Sequence, residues 1–304
     1  MGLGIWDAAH RKVVWPHGAW RDASGYSAAM STLDFDPDWL AQLRLATQQA
    51  PRQPRLPLLW GDQVIGSVEP GLLRGAPGDP VHAALSALAG TCLVDADSHW
   101  RLVGDATEAL RQIALALRGI AATQVDRQWR NENLAIWDSD EHEIAQVERG
   151  AARALGITTR AVHLIGHVSG QRMWIQQRAW TKATEPGLWD TLMGGMVSAA
   201  DTVASALQRE TWEEAGLQLE QLQHVRYGGQ FTVQKPNGAD GGVGYMVEQT
   251  HWYDAIVPDG IIPENQDGEV AQFALVTHGE LLGLLHDNAF TTEAATALVL
   301  CLGS

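Results

Sequence analysis

Three glutamates, Glu210, Glu213 and Glu214, stand at i, i+3 and i+4 of a stretch with helical periodicity. On an α-helix that spacing brings three carboxylates onto one face within about one turn. Like charges so placed weaken a bare helix. They become useful when hard divalent cations, which favour carboxylate oxygens, lie between them and a phosphate. Arg209 is spaced to pair with Glu213 one turn on, while Ala204, Leu207, Thr211 and Ala215 offer a small, largely apolar face to pack on a sheet. Just upstream, Met193-Gly194-Gly195 leaves room for a backbone carbonyl to approach an ion. Gly195, Glu210, Glu213 and Glu214 are therefore candidate ligands for Mg²⁺, with Mn²⁺ as the substitute.

The elements that must position this helix can be read from patterning. Residues 201–215 form the carboxylate helix. Strands are expected at 162–168 and 173–177 across Ser169-Gly170, and within 228–257 around Pro236-Asn237-Gly238. Helices follow at 277–285 and 292–302. Earlier, Leu40, Leu43 and Ala46 predict a helix over 37–50, and two short strands flank Gly61-Asp62. A hairpin is expected over 91–103. Asp105 with Glu108 three residues on opens a helix over 107–118. A further helix is predicted over 141–155, ended by Gly156. A domain boundary is placed at about residue 125. It separates an arm of unknown role (1–30) and a small α+β domain (31–125) from a second domain (126–304).

The order Gly195-x5-Asp201-x7-Arg209-Glu210-Thr211-x-Glu213-Glu214-x-Gly216-Leu217 resembles the Nudix box, with Asp201 replacing a Glu and Thr211 replacing an aliphatic residue. Flanking residues resemble one Nudix subfamily, the one linked to thiamine pyrophosphokinase. They are Trp174–Arg178, Lys182, Pro186-Gly187 and Asp190 upstream, and Asp267-Gly268-Glu269-Val270 downstream, where Ala271 replaces a second Glu. The resemblance implies an α/β fold, a Nudix α/β/α sandwich behind a small N-terminal α+β domain. It implies metal-dependent hydrolysis of a small organic diphosphate, thiamine diphosphate or its oxidised analogues first. Arg209 and Glu210 belong to the implied catalytic set. The proton acceptor is left between Glu269, in a loop free to reach water, and Glu210. Arg178 and Lys182 are candidate diphosphate binders.

Two other readings stay open: hydrolysis of ADP-ribose or another nucleoside diphosphate derivative, and a non-catalytic metabolite sensor. Three intact helix glutamates favour catalysis. The skew to thirteen Trp over four Phe and four Tyr provides rings that can stack on a flat heterocycle, although none is singled out.

Composition narrows the field further. The 304 residues carry 21 Lys plus Arg against 36 Asp plus Glu, a net charge of −15, which disfavours broad binding of nucleic acid. Two cysteines build neither a disulfide framework nor a zinc site, and the expected location is cytoplasmic. No apolar run suits a membrane span. The expected partner is a small-molecule diphosphate, with a homodimer left open. His142-Glu143 lacks the second His of a zinc protease, since Gln146 stands there. Residues 238–244 are glycine-rich without the Lys-Ser/Thr of a phosphate loop. Cys92 and Cys301 lack the surroundings of a nucleophile, and His163 and His167 are read as core or surface histidines and not as ligands.

Overall fold

The computed structural model describes residues 33–74, 80–237 and 242–303. The expected arm (1–30) and most of the glycine-rich turn at 238–244 lie outside the described residues. The chain runs α1 (Pro37–Thr47), β1 (Leu56–Trp60), β2 (Gln63–Val68), α2 (Pro80–Leu88), β3 (Leu93–Asp95), β4 (Trp100–Leu102), α3 (Ala106–Leu117) and α4 (Val125–Gln128). It continues through β5 (Asn133–Trp137), β6 (Glu143–Glu148) and α5 (Arg149–Ala152). The second half holds β7 (Thr158–Val168), β8 (Arg172–Arg178), β9 (Trp189–Asp190), β10 (Met193–Met196) and α6 (Val203–Ala215). Then come β11 (Gln223–Pro236), β12 (Tyr245–Ile256), β13 (Val270–Thr277), α7 (His278–His286) and α8 (Thr292–Leu302).

Among the described residues, β2-β1-β4-β3 form a four-stranded sheet and β5-β6 a two-stranded one. A seven-stranded sheet runs β11-β12-β7-β8-β13, with β10 paired to β7 and β9 to β8. Side chains alternate across β7 as a strand requires. Val162 and Leu164 pack with Ala206 and Leu207 of α6. On the opposite parity, His167 Nε2 lies 3.6 Å from Cys301 Sγ of α8. Helices thus cover both faces, which makes the sandwich. None of the helices in the described residues is long and apolar enough to cross a membrane.

One expected element is corrected. Residues 141–155 are not a helix: 143–148 form β6, and only 149–152 turn helically. Glu, Ala and Gln favour helices in isolation. Pairing with β5 overrides that preference, setting Leu134 opposite Val147 and Ile136 opposite Ala145, all four buried. Gly156 nevertheless has the left-handed φ of +56° expected of it. A Cβ there would come within 2.6 Å of the Ser67 carbonyl oxygen. The boundary expected near 125 falls inside a buried apolar cluster that runs from Leu58 through Val125, Leu134 and Val147 to Ile157. Strand β13 has no counterpart among the expected elements. Its run mixes strand formers (Val270, Phe273, Val276, Thr277) with Ala and Gln, and the ladder with β8 sets it.

Candidate active site

Strand β10 delivers Gly195 beside α6, in register with Val162 of β7. The connecting loop is tied by backbone bonds, Val197 N–H to the Arg160 carbonyl (2.9 Å) and Ala199 N–H to the Asn133 carbonyl (2.7 Å). Thr202 then caps α6, accepting from Ser205 N–H while Ser205 Oγ accepts from Thr202 N–H. Gly216, with φ +64°, ends the helix. Thr211, the departure from an aliphatic residue, is wholly buried and donates its hydroxyl to the Leu207 carbonyl at 2.6 Å.

Asp201 carries out the positioning expected of a longer Glu. Its carboxylate accepts from Arg209 (Nε 3.0 Å, Nη2 2.7 Å), Ser198 Oγ (2.9 Å) and Ser205 Oγ (3.0 Å). Burial alone would raise its pKa, and these hydrogen bonds outweigh burial and hold it low. Arg209 Nη1 also donates to Glu210 and Glu213, each at 2.9 Å, so the expected i, i+4 pair is present.

The three glutamates point two ways. Glu210 packs against Gly195 so closely that any Cβ at 195 would overlap its carboxyl group. Burial first, then the charges of Glu214 and Glu213, push its pKa up to about 7 against the opposing pull of Arg209. Glu213 is half-exposed beside Arg209. Glu214 is 1% exposed and turns inward, accepting from Gln176 Nε2 (2.7 Å), Gly194 N–H (3.0 Å) and Lys182 Nζ (3.2 Å). Burial raises its pKa despite those donors.

Lys182 also reaches Glu269, at 2.5 Å, and so spans from the helix to the loop before β13. Burial would lower the Lys182 pKa, but Glu214 and Glu269 outweigh it and raise it. Burial would raise that of Glu269, but Lys182, Arg149 and Arg178 hold it low. Arg178 stands apart from this trio. It pairs with the buried Asp190 (3.3 Å) and donates to the Thr184 carbonyl (3.1 Å), which fixes the loop 178–188. Its Nε is buried without a partner, as is Gln176 Oε1 next to Glu214.

Asp190 in turn lies 3.3 Å from His163, whose Nδ1 is 3.0 Å from Thr191 Oγ1. A Cβ at Gly194 would come within 2.8 Å of the His163 ring. His163 is thus packing support behind the strand, as expected. Cys301 carries a largely buried thiol whose pKa burial raises, which suits no nucleophile.

Sequence reasoning missed Gln176 and the Gly194 N–H as partners of Glu214. The run Trp174–Arg178 is visible in the motif, but its strand parity toward α6 is not. Among the described residues, the His/Cys/Asp/Glu group whose ligand atoms all approach within 4.8 Å of one another is Asp138, Asp140 and His142. It lies in the β5–β6 turn and includes no α6 residue. The α6 carboxylates are instead spread onto Arg209 and Lys182. As a donor set they fit a hard cation: every candidate donor is oxygen, Glu210 is pressed onto a glycine, and the Gln176 Oε1 acceptor beside Glu214 is unused.

Residues 158–298 match the family model described as the NUDIX domain. That segment is similar to the Nudix domain. The chain is 29% identical over 186 residues to an uncharacterised protein of Saccharomyces cerevisiae, covering 56% of this chain and 54% of the relative. It is 30% identical over 155 residues to the chloroplastic Nudix hydrolase 20 of Arabidopsis thaliana, covering 47% of this chain and 38% of the relative. The chain thus spans about half or less of the length of these curated relatives. A solved protein of Deinococcus radiodurans aligns with 56% of this chain and 98% of that one, with 19% identity and a TM-score of 0.43.

Proposed function

We propose that the chain is a metal-dependent Nudix pyrophosphohydrolase that cleaves a small organic diphosphate into a monophosphate and phosphate. One juxtaposition carries the reading: glycine-backed Glu210 and buried Glu214 share a helical turn, and Lys182 joins Glu214 to Glu269. The designation of the Arabidopsis relative as a Nudix hydrolase supports it.

Gly195, Glu210, Glu213 and Glu214 are the residues that would hold Mg²⁺ or Mn²⁺. Such an ion supplies positive charge to the phosphate oxygens and acidifies water. Arg209 donates to Glu210 and Glu213 and so orients both carboxylates. Lys182, with Arg178 bracing its loop, binds the diphosphate oxygens. Water attacks phosphorus, its proton passes to a Glu269 carboxylate oxygen, and the bridging P–O bond breaks to release the monophosphate. Within this class, the motif around Lys182, Pro186-Gly187 and Asp267-Gly268-Glu269 favours thiamine diphosphate and its oxidised analogues.

The test is incubation with Mg²⁺ and a panel of thiamine diphosphate, its oxidised analogues, ADP-ribose and dinucleotides, reading monophosphate and phosphate release. The expected winner in kcat/KM is a neutral-ring thiamine diphosphate analogue. An ADP-ribose preference of about tenfold, roughly 1.4 kcal/mol, overturns the thiamine assignment and leaves the hydrolase. Binding without release of any product makes the protein a sensor.

A further inference from the structure

Trp180 is 71% exposed, an unusual place for an indole. It sits inside the loop that carries Lys182. Ala179 N–H donates to the Glu269 carbonyl (2.9 Å), Lys182 N–H to the Ala179 carbonyl (3.0 Å), and Lys182 Nζ to the Glu269 carboxylate. The residues on both sides of the ring are therefore fastened to the proposed proton acceptor. The Cα atoms of Trp180 and Lys182, two residues apart, are at most about 7 Å from each other.

The far end of the loop is equally fixed. Gly187 N–H donates to the Arg178 carbonyl (3.1 Å), and Gln177 Nε2 donates to the Gly187 carbonyl (2.9 Å). Gly187 has φ +76°, and a Cβ there would overlap the six-membered ring of Trp180. Glycine is required at 187 for both reasons. Lys235 Nζ, 3.0 Å from Glu185, ties the loop to β11. The indole thus rests on a glycine backbone while most of its surface faces solvent, in the loop whose Lys182 reaches Glu214 and Glu269.

We propose that Trp180 is a specificity-determining residue that stacks the flat heteroaromatic group of the substrate, a pyrimidine, thiazole or purine joined to the diphosphate. The proposal rests on the diphosphate-hydrolase reading above. Lys182 takes phosphate oxygens, and the ring two residues away takes the organic end, so the loop reads both halves of one molecule. A π-face selects for flatness and tolerates many ring identities.

The experiment compares wild type, Trp180→Phe and Trp180→Ala with thiamine diphosphate, ADP and butyl diphosphate in Mg²⁺. In Trp180→Ala the ratio of kcat/KM for each ring compound to that for butyl diphosphate falls at least tenfold, mostly through KM. Trp180→Phe recovers most of the ratio. Equal losses for ring and alkyl compounds, or no loss, overturn the assignment. If wild type hydrolyses none of the three, the hydrolase reading fails, and calorimetric binding of the same compounds decides the ring. A selective tenfold loss of ring affinity in Trp180→Ala then upholds the stacking role, and an unselective result overturns it.

Discussion

The Lys182 ammonium lies 2.5 Å from the Glu269 carboxylate and 3.2 Å from that of Glu214, which is almost wholly buried. One cation therefore compensates two carboxylates on separate elements. Removing it as Lys182→Met strands Glu214 in the interior, at a cost of about 3 kcal/mol or more without metal. Urea unfolding in chelator should show that loss, and added Mg²⁺ should restore part of it. Unchanged unfolding in chelator would mean that the pair contributes nothing.

Glu213→Gln keeps shape at a half-exposed position and removes one proposed ligand charge. Turnover should fall about a hundredfold or more with the melting curve intact. Glu269→Gln should instead depress the rate at saturating Mg²⁺ while the Mg²⁺ concentration for half-maximal rate stays put. A normal rate at saturating Mg²⁺ with a raised metal requirement would reassign Glu269 as a ligand.

Two glycines should respond oppositely to alanine. At Gly195 the new methyl meets the Glu210 carboxyl, so Gly195→Ala should lose about 1–3 kcal/mol and displace that side chain. At Gly283, inside α7, a methyl group would meet nothing within 4 Å. Gly283→Ala should gain about 0.5–1 kcal/mol from helix propensity. A melting temperature for Gly195→Ala that holds or rises would contradict the packing at Gly195, and one for Gly283→Ala that falls would contradict the open space at Gly283.

Burial, with smaller contributions from His278 and Arg226, pushes the His167 pKa down to about 4 despite nearby Asp254. The folded state therefore prefers the neutral ring. Its contribution is complete above about pH 6.5, where the unfolded ring is neutral too, and is lost as pH falls from there toward 4. That loss amounts to about 3 kcal/mol. Unfolding free energy measured from pH 7 to 4 should drop less steeply in His167→Gln than in wild type. Parallel slopes would remove His167 as the source.

The carboxylate helix is legible in the sequence because its signals are local. The spacing of Glu210, Glu213 and Glu214, the pair with Arg209 and the terminating Gly216 all lie within one element. Residues 143–148 mislead for the converse reason: their strand identity comes from partners at 133–137 and not from their own propensities. The junction at Lys182 joins positions 32 and 87 residues away (214 − 182 and 269 − 182). Spacing arguments do not reach that far. Arg178, expected to be free for substrate, is occupied by Asp190, a partner that only the β8–β9 pairing supplies.

The segment from Val197 to Ala200 is held by peptide groups, with Val197 bonded to Arg160 and Ala199 to Asn133. Peptide groups are common to nearly every amino acid, so this tether is indifferent to side-chain chemistry at Ala199 and Ala200. What it does register is length: inserting or deleting one residue would carry Asp201 out of reach of Arg209. Between Gly195 and Asp201, Ala199 and Ala200 are thus marks on a ruler, open to drift in identity and closed to drift in number, whereas Ser198 is held to its hydroxyl by Asp201.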